Sequence, residues 1–383
     1  MGPTRMNVSY VPVSLVGDSV ARREAVLLAA YAMHSSDSAG RKHPEDVHAY
    51  RGPFARDRDR IVHSAAFRRL SCKTQVFMGE MGDYHRTRLT HTLEVASIAR
   101  TVGRALRLNE DLVEALALAH DIGHPPFGHA GEDTLDACLA NDGGFEHNRQ
   151  ALRIVEQLEC RCCTHSGLNL TYEVLEGQEA RAVKGSGERS PLLEVQVVEA
   201  ADSVAYDTHD ADDALEVGLL ELGELLEVPL WREAAVRVRG RFSDLETSEM
   251  RRAIVHELID WQVGDLLENS LRRIRHVGVD RVEVVRSVER LIGAGCELAE
   301  AKEALEQFLY NRVYRHPQVL KTRQLAQDSL QQMFEGYVAR PQLLPEKFRR
   351  RIASDGLPRA VGDYLAGMTD RFARVTFQRQ FGG

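Results

Sequence analysis

The sequence predicts an all-α protein. Three observations carry that expectation: apolar residues recur at helical spacing along most of the chain, strand-like alternation is scarce, and Asn, Gly and Pro punctuate the periodic segments. There is no internal repeat and no clear interdomain linker. One large helical unit, with the C-terminal third packed on it as a subdomain, is the simplest arrangement. Its expected divisions are an N-terminal helix with a flexible segment (1–50), a core (51–320) and a helical extension (321–383).

The elements follow in order. Residues 20–33 (VARREAVLLAAYAM) make a first amphipathic helix, and the polar stretch 35–53, with Gly and Pro, reads as loop. Residues 58–70 carry apolar Ile61, Ala65 and Leu70, with basic side chains on the other face. Residues 90–106 and 111–121 are the two best helices of the N-terminal half. In the second, Leu112, Leu116 and Ala119 recur at helical spacing, Asn109 is placed as N-cap, and Pro125-Pro126 stops the helix. A helix from near Gly131 and another over 146–159 follow. Residues 165–192 are Gly-rich and read as a long excursion with a short hairpin, a length that points to a functional or mobile loop. Helices resume at Glu194 and run to about Glu335.

The chain has 383 residues, with 49 basic against 57 acidic side chains and a formal charge of -8, so no global basic field announces nucleic acid. A local basic groove is still open to a chain of that charge. No run approaches the roughly 18 apolar residues of a membrane span. The N-terminus lacks the apolar stretch of a signal peptide, and Gly2-Pro3 does not suit myristoylation. The cytoplasm is the expected location. Cys160, Cys162 and Cys163 cluster with His165, but without paired C-x-x-C spacing they read as incidental thiols rather than a metal site.

The chemistry concentrates elsewhere. A divalent ion wants imidazole and carboxylate ligands from separate elements, with open positions left for water and substrate. His91 sits in an apolar helix (RLTHTLEVASIAR), and His120-Asp121 end another (LVEALALAHD). Asp202 lies in a third, VQVVEAADSVAYD, where a carboxylate in an apolar stripe is costly unless paired or metal-bound. Adjacent helical residues diverge by about 100°, so His120 and Asp121 share an ion only at the helix end. A lone His on an apolar face is more often a satisfied core residue. It is the combination that points to metal.

The order H, HD, D is the signature of the HD-domain metal-dependent phosphohydrolases, which the chain resembles. HDIGHPPFGHAGE, FEHNRQALRIVEQLE, RDRDRIVHSAAFRRLSCKTQVF, EAADSVAYDTHDADDA and LYNRVYRHPQV are similar to segments of the deoxyguanosinetriphosphate triphosphohydrolase family, from about Arg51 to His316. The resemblance implies an HD-domain helical fold with an additional helical C-terminal subdomain. It also implies cleavage of deoxynucleoside triphosphates (dGTP or other dNTPs) to deoxynucleoside and tripolyphosphate.

By the same resemblance His91, His120, Asp121 and Asp202 hold one divalent ion, Mg2+ or Mn2+, with Co2+, Fe2+, Ni2+ and Zn2+ as further candidates. His129 is the acid–base residue. Glu132, three residues on and one helical turn away, orients and charges it. His147 joins that cluster, although a Glu146–His147 charge pair at a helix start is the plainer reading. His124 and Arg88 contact phosphate, a surface ion pair being the alternative for Arg88. Tyr206 and Asp210 follow Asp202 at steps of four on one stripe; Tyr206 packs beneath the sugar and Asp210 accepts the 3′-hydroxyl. Gln75 reads the base.

The basic run Arg58, Arg60, Arg68, Arg69 and Lys73 is either a solvated face or an anion site, since some family members bind a nucleotide effector or single-stranded DNA. A homo-oligomer, commonly a hexamer, is expected. The rivals are another HD phosphohydrolase, acting on monophosphates, cyclic nucleotides or an alarmone, and a binding regulator with a vestigial site. The Tyr206/Asp210 stripe and GHPPFGHAGE speak against the first, and the chemically competent residue at every site position speaks against the second.

Overall fold

The computed structural model describes residues 14–75, 86–160, 165–183 and 190–382, with side chains from residue 20 onward. It is 72% helical, and no strand occurs among the described residues; only isolated bridges such as Thr74 with Thr87 are present. Among those residues no helix is long and apolar enough to cross a membrane.

Local chemistry sets the helix boundaries. The first helix, α1, spans Ser14–Leu27, several residues earlier than the expected 20–33, and chain 28–33 turns inward so that the Met33 amide bonds Glu194 at 2.9 Å. The expected single helix 58–70 is two: α2 (Pro53–Val62) starts on Pro53, and Ser64 caps α3 (Ala65–Arg69) through the Phe67 amide. A capping Ser resets the helix direction where apolar periodicity alone runs on.

The central layer is α4 (Arg88–Ala105), α5 (Glu110–Ala119) and α9 (Leu193–Glu216). Thr87 and Thr90 form a capping box at the start of α4, and Asn109 caps α5 as expected. Their facing sides (Val95, Ala99 and Val102 with Leu112, Ala115 and Ala119, against Val197, Ala201 and Ala205) are almost wholly buried. At roughly 1.5–3 kcal/mol for each large aliphatic side chain removed from water, this cluster anchors the three helices that carry the site.

Around that layer lie α6 (Gly128–Cys138), α7 (His147–Arg153, continued by a π turn to Leu158) and α8 (Tyr172–Ala182). The helix α8 corrects the expected long loop and hairpin over 165–192. Val174 is buried, and Gly177 packs so closely on Leu116 that a Cβ there would collide with it. Gly177, one of the residues that suggested a loop, is a helix-packing position. Cys162 and Cys163, with residues 184–189, fall outside the described residues.

Next come α10 (Leu222–Leu225), α11 (Pro229–Arg241), α12 (Thr247–Val277), α13 (Val282–Ser287) and α14 (Cys296–Leu309, continued by a π turn Tyr310–Tyr314). Most of them, with the end of α9, enclose a second core around Trp231 and Leu258. The last helices are α15 (Pro317–Ala339), α16 (Glu346–Arg349), α17 (Ile352–Asp355), α18 (Leu357–Ala366) and α19 (Asp370–Gln380). A third core joins α15, α18 and α19 to Phe127, Leu135 and Leu139 of the α6 region, so the C-terminal helices pack directly behind the site.

Candidate active site

Helix α5 ends at Ala119 and leaves His120 as its C-cap. There the ring Nδ1 lies 2.6 Å from the Ala117 carbonyl, to which it donates, so Nε2 keeps its lone pair. That Nε2 is buried with no hydrogen-bond partner among the described residues, and it lies 3.7 Å from Asp202 Oδ1. His91 Nε2 approaches the same oxygen at 3.2 Å. Ligand atoms of His91, His120 and Asp202 thus fall within 4.8 Å of one another. A buried imidazole lone pair beside a carboxylate is an expensive arrangement unless a cation completes it. Two imidazoles and a carboxylate are a donor set that a borderline divalent ion accepts. The residues fit the implied metal.

Asp121 borders this cluster. Its carboxylate turns toward Arg88 Nη1, at 2.9 and 3.1 Å, and lies 2.8 Å from His124 Nδ1, while Oδ1 remains 3.9 Å from His120 Nε2. Burial alone would raise the Asp121 carboxyl, but Arg88 and His124 overcome it and hold it well below the usual range. For Asp202 too, His120, His91 and Arg181 outweigh burial and keep the carboxylate charged. His124 stays neutral because burial, and then Arg88, disfavour its cation.

One turn further, Glu132 joins two rings. Its Oε2 meets His129 Nδ1 at 3.1 Å, and its Oε1 meets His147 Nδ1 at 2.8 Å and the His147 amide at 2.9 Å. These bonds outweigh the effect of burial and hold the Glu132 carboxyl far below its ordinary value. Glu146 is the N-cap of α7 through the Asn148 and Arg149 amides, and His147, although 3.5 Å from Glu146, bonds Glu132 instead. His147 also stacks on His124 with ring centroids 3.9 Å apart. Gly123 permits this approach, since a Cβ there would collide with the His147 carbonyl and the Ala151 amide. His124, Glu132 and His147 form a second trio within 4.8 Å, but both Glu132 oxygens are already taken by ring nitrogens.

Both clusters open into one cavity of about 840 Å³, which Gln75, Arg88, Tyr206 and Asp210 also line. All the residues expected from sequence are therefore near one another: Asp121 lines the cavity too, while His120 and Glu132 stand behind its wall, beside Asp202 and His129 respectively. Two further residues went unrecognised. Arg181, from α8, donates to Asp202 Oδ2 at 2.9 Å, leaving Oδ1 to the two imidazoles. Tyr314, from the π turn after α14, donates to Asp210 Oδ2 and accepts from Tyr206 at 2.8 Å. Asp210 Oδ1 is left buried and unpartnered among the described residues. Tyr314 stands in the LYNRVYRHPQV motif, but its pairing across 104 residues has no local signal. Arg181 was hidden by reading α8 as loop.

The basic run is not one face. Arg58 pairs with Asp111 and Glu114, Arg60 bonds the Leu168 and Asn169 carbonyls, and Lys73 is buried on the His124 and Ala366 carbonyls. Arg68 remains exposed and Arg69 lies beside Glu159 at 3.9 Å.

An all-helical scaffold with its His and Asp side chains gathered in this order defines an HD-domain protein. The family profile described as "HD domain" matches residues 88–207, and that described as "Phosphohydrolase-associated domain" matches 292–379. The chain is 44% identical over 369 residues to a deoxyguanosinetriphosphate triphosphohydrolase-like protein of Geobacter sulfurreducens, with 92% of this chain and 95% of that one covered. It is 47% identical over 360 residues to one so named, numbered 1, in Deinococcus radiodurans, and 45% over 382 to one in a Caulobacter species, at 92% and 96% coverage in each case. The chain belongs to the deoxyguanosinetriphosphate triphosphohydrolase-like family of HD-domain phosphohydrolases.

Proposed function

We propose that the protein hydrolyses deoxynucleoside triphosphates to the deoxynucleoside and inorganic tripolyphosphate. One observation carries the reading: a single cavity holds the His91/His120/Asp202 cluster, the His129–Glu132 couple and the unpaired Asp210 Oδ1 beside Tyr206. These serve, in turn, an α-phosphate, a leaving 5′ oxygen and a 3′-hydroxyl.

His91, His120, Asp121 and Asp202 would hold a divalent ion, with Mg2+ or Mn2+ the first candidates. When bound, the ion supplies Lewis-acid polarisation of phosphate oxygen and lowers the pKa of a bound water. Arg181 fixes the outer oxygen of Asp202, and Arg88 and His124 bind α-phosphate oxygens. As water adds to the α-phosphorus, the bond to the 5′ oxygen breaks. A sugar alkoxide is a poor leaving group, so a proton must arrive as it departs. His129 delivers that proton from Nε2, its Nδ1 being held by Glu132. Asp210 accepts from the 3′-hydroxyl through Oδ1, Tyr206 occupies the space a 2′-hydroxyl would need, and Gln75 meets the base. We place this chemistry in residues 51–320, with 321–383 as a helical extension bracing it from behind.

The test is to supply each dNTP and each ribonucleotide in turn to the metal-loaded protein and separate the products. Deoxynucleoside and tripolyphosphate from dNTPs, with ribonucleotides turned over at least about a hundredfold more slowly, support the reading. Equal use of ribonucleotides would remove the roles of Tyr206 and Asp210.

A further inference from the structure

Asp370 opens α19, 243 residues along the chain from Phe127, yet its buried carboxylate binds the site from behind. Oδ1 accepts the Phe127 amide at 3.0 Å and Oδ2 accepts the Thr74 amide at 3.0 Å. Each amide adjoins a residue of the proposed site. Thr74 precedes Gln75, and Phe127 is the N-cap of α6, two residues before His129. Phe127 also has φ 66°, a left-handed conformation that a bulky side chain adopts only when its surroundings impose it. A second tie runs in parallel: Lys73 Nζ donates to the Ala366 carbonyl at 3.0 Å and to the His124 carbonyl at 2.5 Å. The junction of α18 and α19 thus grips the Lys73–Gln75 segment and the His124–Phe127 turn together.

We infer that Asp370 is a positioning residue, setting through one carboxylate both where Gln75 lies and the angle at which α6 presents His129. As a reading of catalysis this rests on the proposed function; the tie itself does not. Asp370→Asn keeps shape and packing but turns one of the two acceptors into a donor facing an amide. Because misplacing a reacting group by about 1 Å costs up to about a hundredfold, D370N is expected to lower kcat about tenfold. It should also change the ratio of kcat/KM between dNTPs at least about threefold, and leave metal affinity within about twofold. Thr369→Ala is the control, since the Thr369 hydroxyl caps the same helix through the Phe372 amide rather than bonding the Thr74 or Phe127 amide, both of which go to Asp370. T369A should lower Tm while leaving kcat and base preference unchanged. Parallel losses in the two variants, or full activity and unchanged base preference in D370N, would overturn the inference.

If D370N does not fold, Lys73→Met cuts the other tie and carries the same expectation for kcat, with an unchanged kcat counting against the clasp. Hydrogen exchange gives a readout independent of turnover. Peptides covering 73–75 and 124–129 should exchange faster in D370N than in wild type or T369A, and equal protection in all three refutes the tie. A wild-type protein that hydrolyses no dNTP but shows this exchange pattern refutes the proposed function alone.

Discussion

Tyr314 donates its phenolic proton to Asp210 Oδ2, and that bond leaves Oδ1 as the oxygen still able to accept a hydrogen bond. The proposed sugar check would therefore extend beyond the helical stripe of Tyr206 and Asp210 to a residue on another element. Tyr314→Phe removes a hydrogen bond to a buried carboxylate, worth about 1.5–3 kcal/mol, and frees Asp210 to turn. KM for dNTPs should rise roughly tenfold or more with kcat little changed. A 2′,3′-dideoxynucleotide has no 3′-hydroxyl to lose, so Y314F should add little to its already poor KM. An equal further loss with the dideoxy substrate would break the link between Tyr314 and the 3′-hydroxyl.

Asp210 makes metal-free stability depend on pH in a definite direction. Burial pushes its carboxyl up to about 7; the Tyr314 bond and His91 pull it down, and Asp213 and Asp207 push it up. The folded value lies above the ordinary 3.8, so the contribution of this group is fully present below about pH 4 and is lost as pH rises through about 7. Asp207 and Asp213, each raised to about 6 chiefly by burial, slope the same way, so comparison with Asp210→Asn isolates the Asp210 part. The Tm advantage of D210N over wild type should widen from about pH 4 to about pH 8 and then level off. An advantage that shrinks over that range would contradict the direction of the shift.

The proton donor should be separable from the metal. His129→Ala is expected to lower kcat by about 10²–10⁴ while metal content stays at the wild-type level. Glu132→Gln should cost less, because His129 keeps its ring but loses the carboxylate that orients it. Loss of metal together with activity in H129A would mean that the two clusters act as one site.

Metal removal tests the other cluster. One ion per chain is expected, and chelation should lower Tm by several degrees, since an ion at 100 times its Kd stabilises by about 2.7 kcal/mol. His120→Ala should abolish that ion, and Arg181→Met should weaken it by letting Asp202 swing. A stoichiometric ion that survives in H120A would point to His124, Glu132 and His147 instead.

Much of the site was legible because its residues are odd for where they sit. An Asp in the apolar stripe of α9, and a His-Asp pair ending an apolar helix, are costs that a sequence does not carry without a partner. Tyr206 and Asp210 were singled out by the family resemblance, and a fixed helical step puts them on the face of Asp202. The layer α4–α5 was visible from Asn109 and the apolar spacing. What stayed hidden depended on the other side of a contact. Gly177 of α8 resembles a loop residue until Leu116 is seen packed on it, and Arg181 was lost with that helix. The break at Ser64 and the turn of Asp121 toward Arg88 were equally silent, because capping and side-chain direction are settled by neighbours that periodicity does not name.

The most direct measurement is hydrolysis of a dNTP in ¹⁸O-labelled water by the metal-loaded protein, with the label located in the products. Attack at the α-phosphorus with departure of the 5′ oxygen places one ¹⁸O in tripolyphosphate and none in the deoxynucleoside. Label in the deoxynucleoside, or release of pyrophosphate with a monophosphate, would contradict the proposed cleavage and the role given to His129.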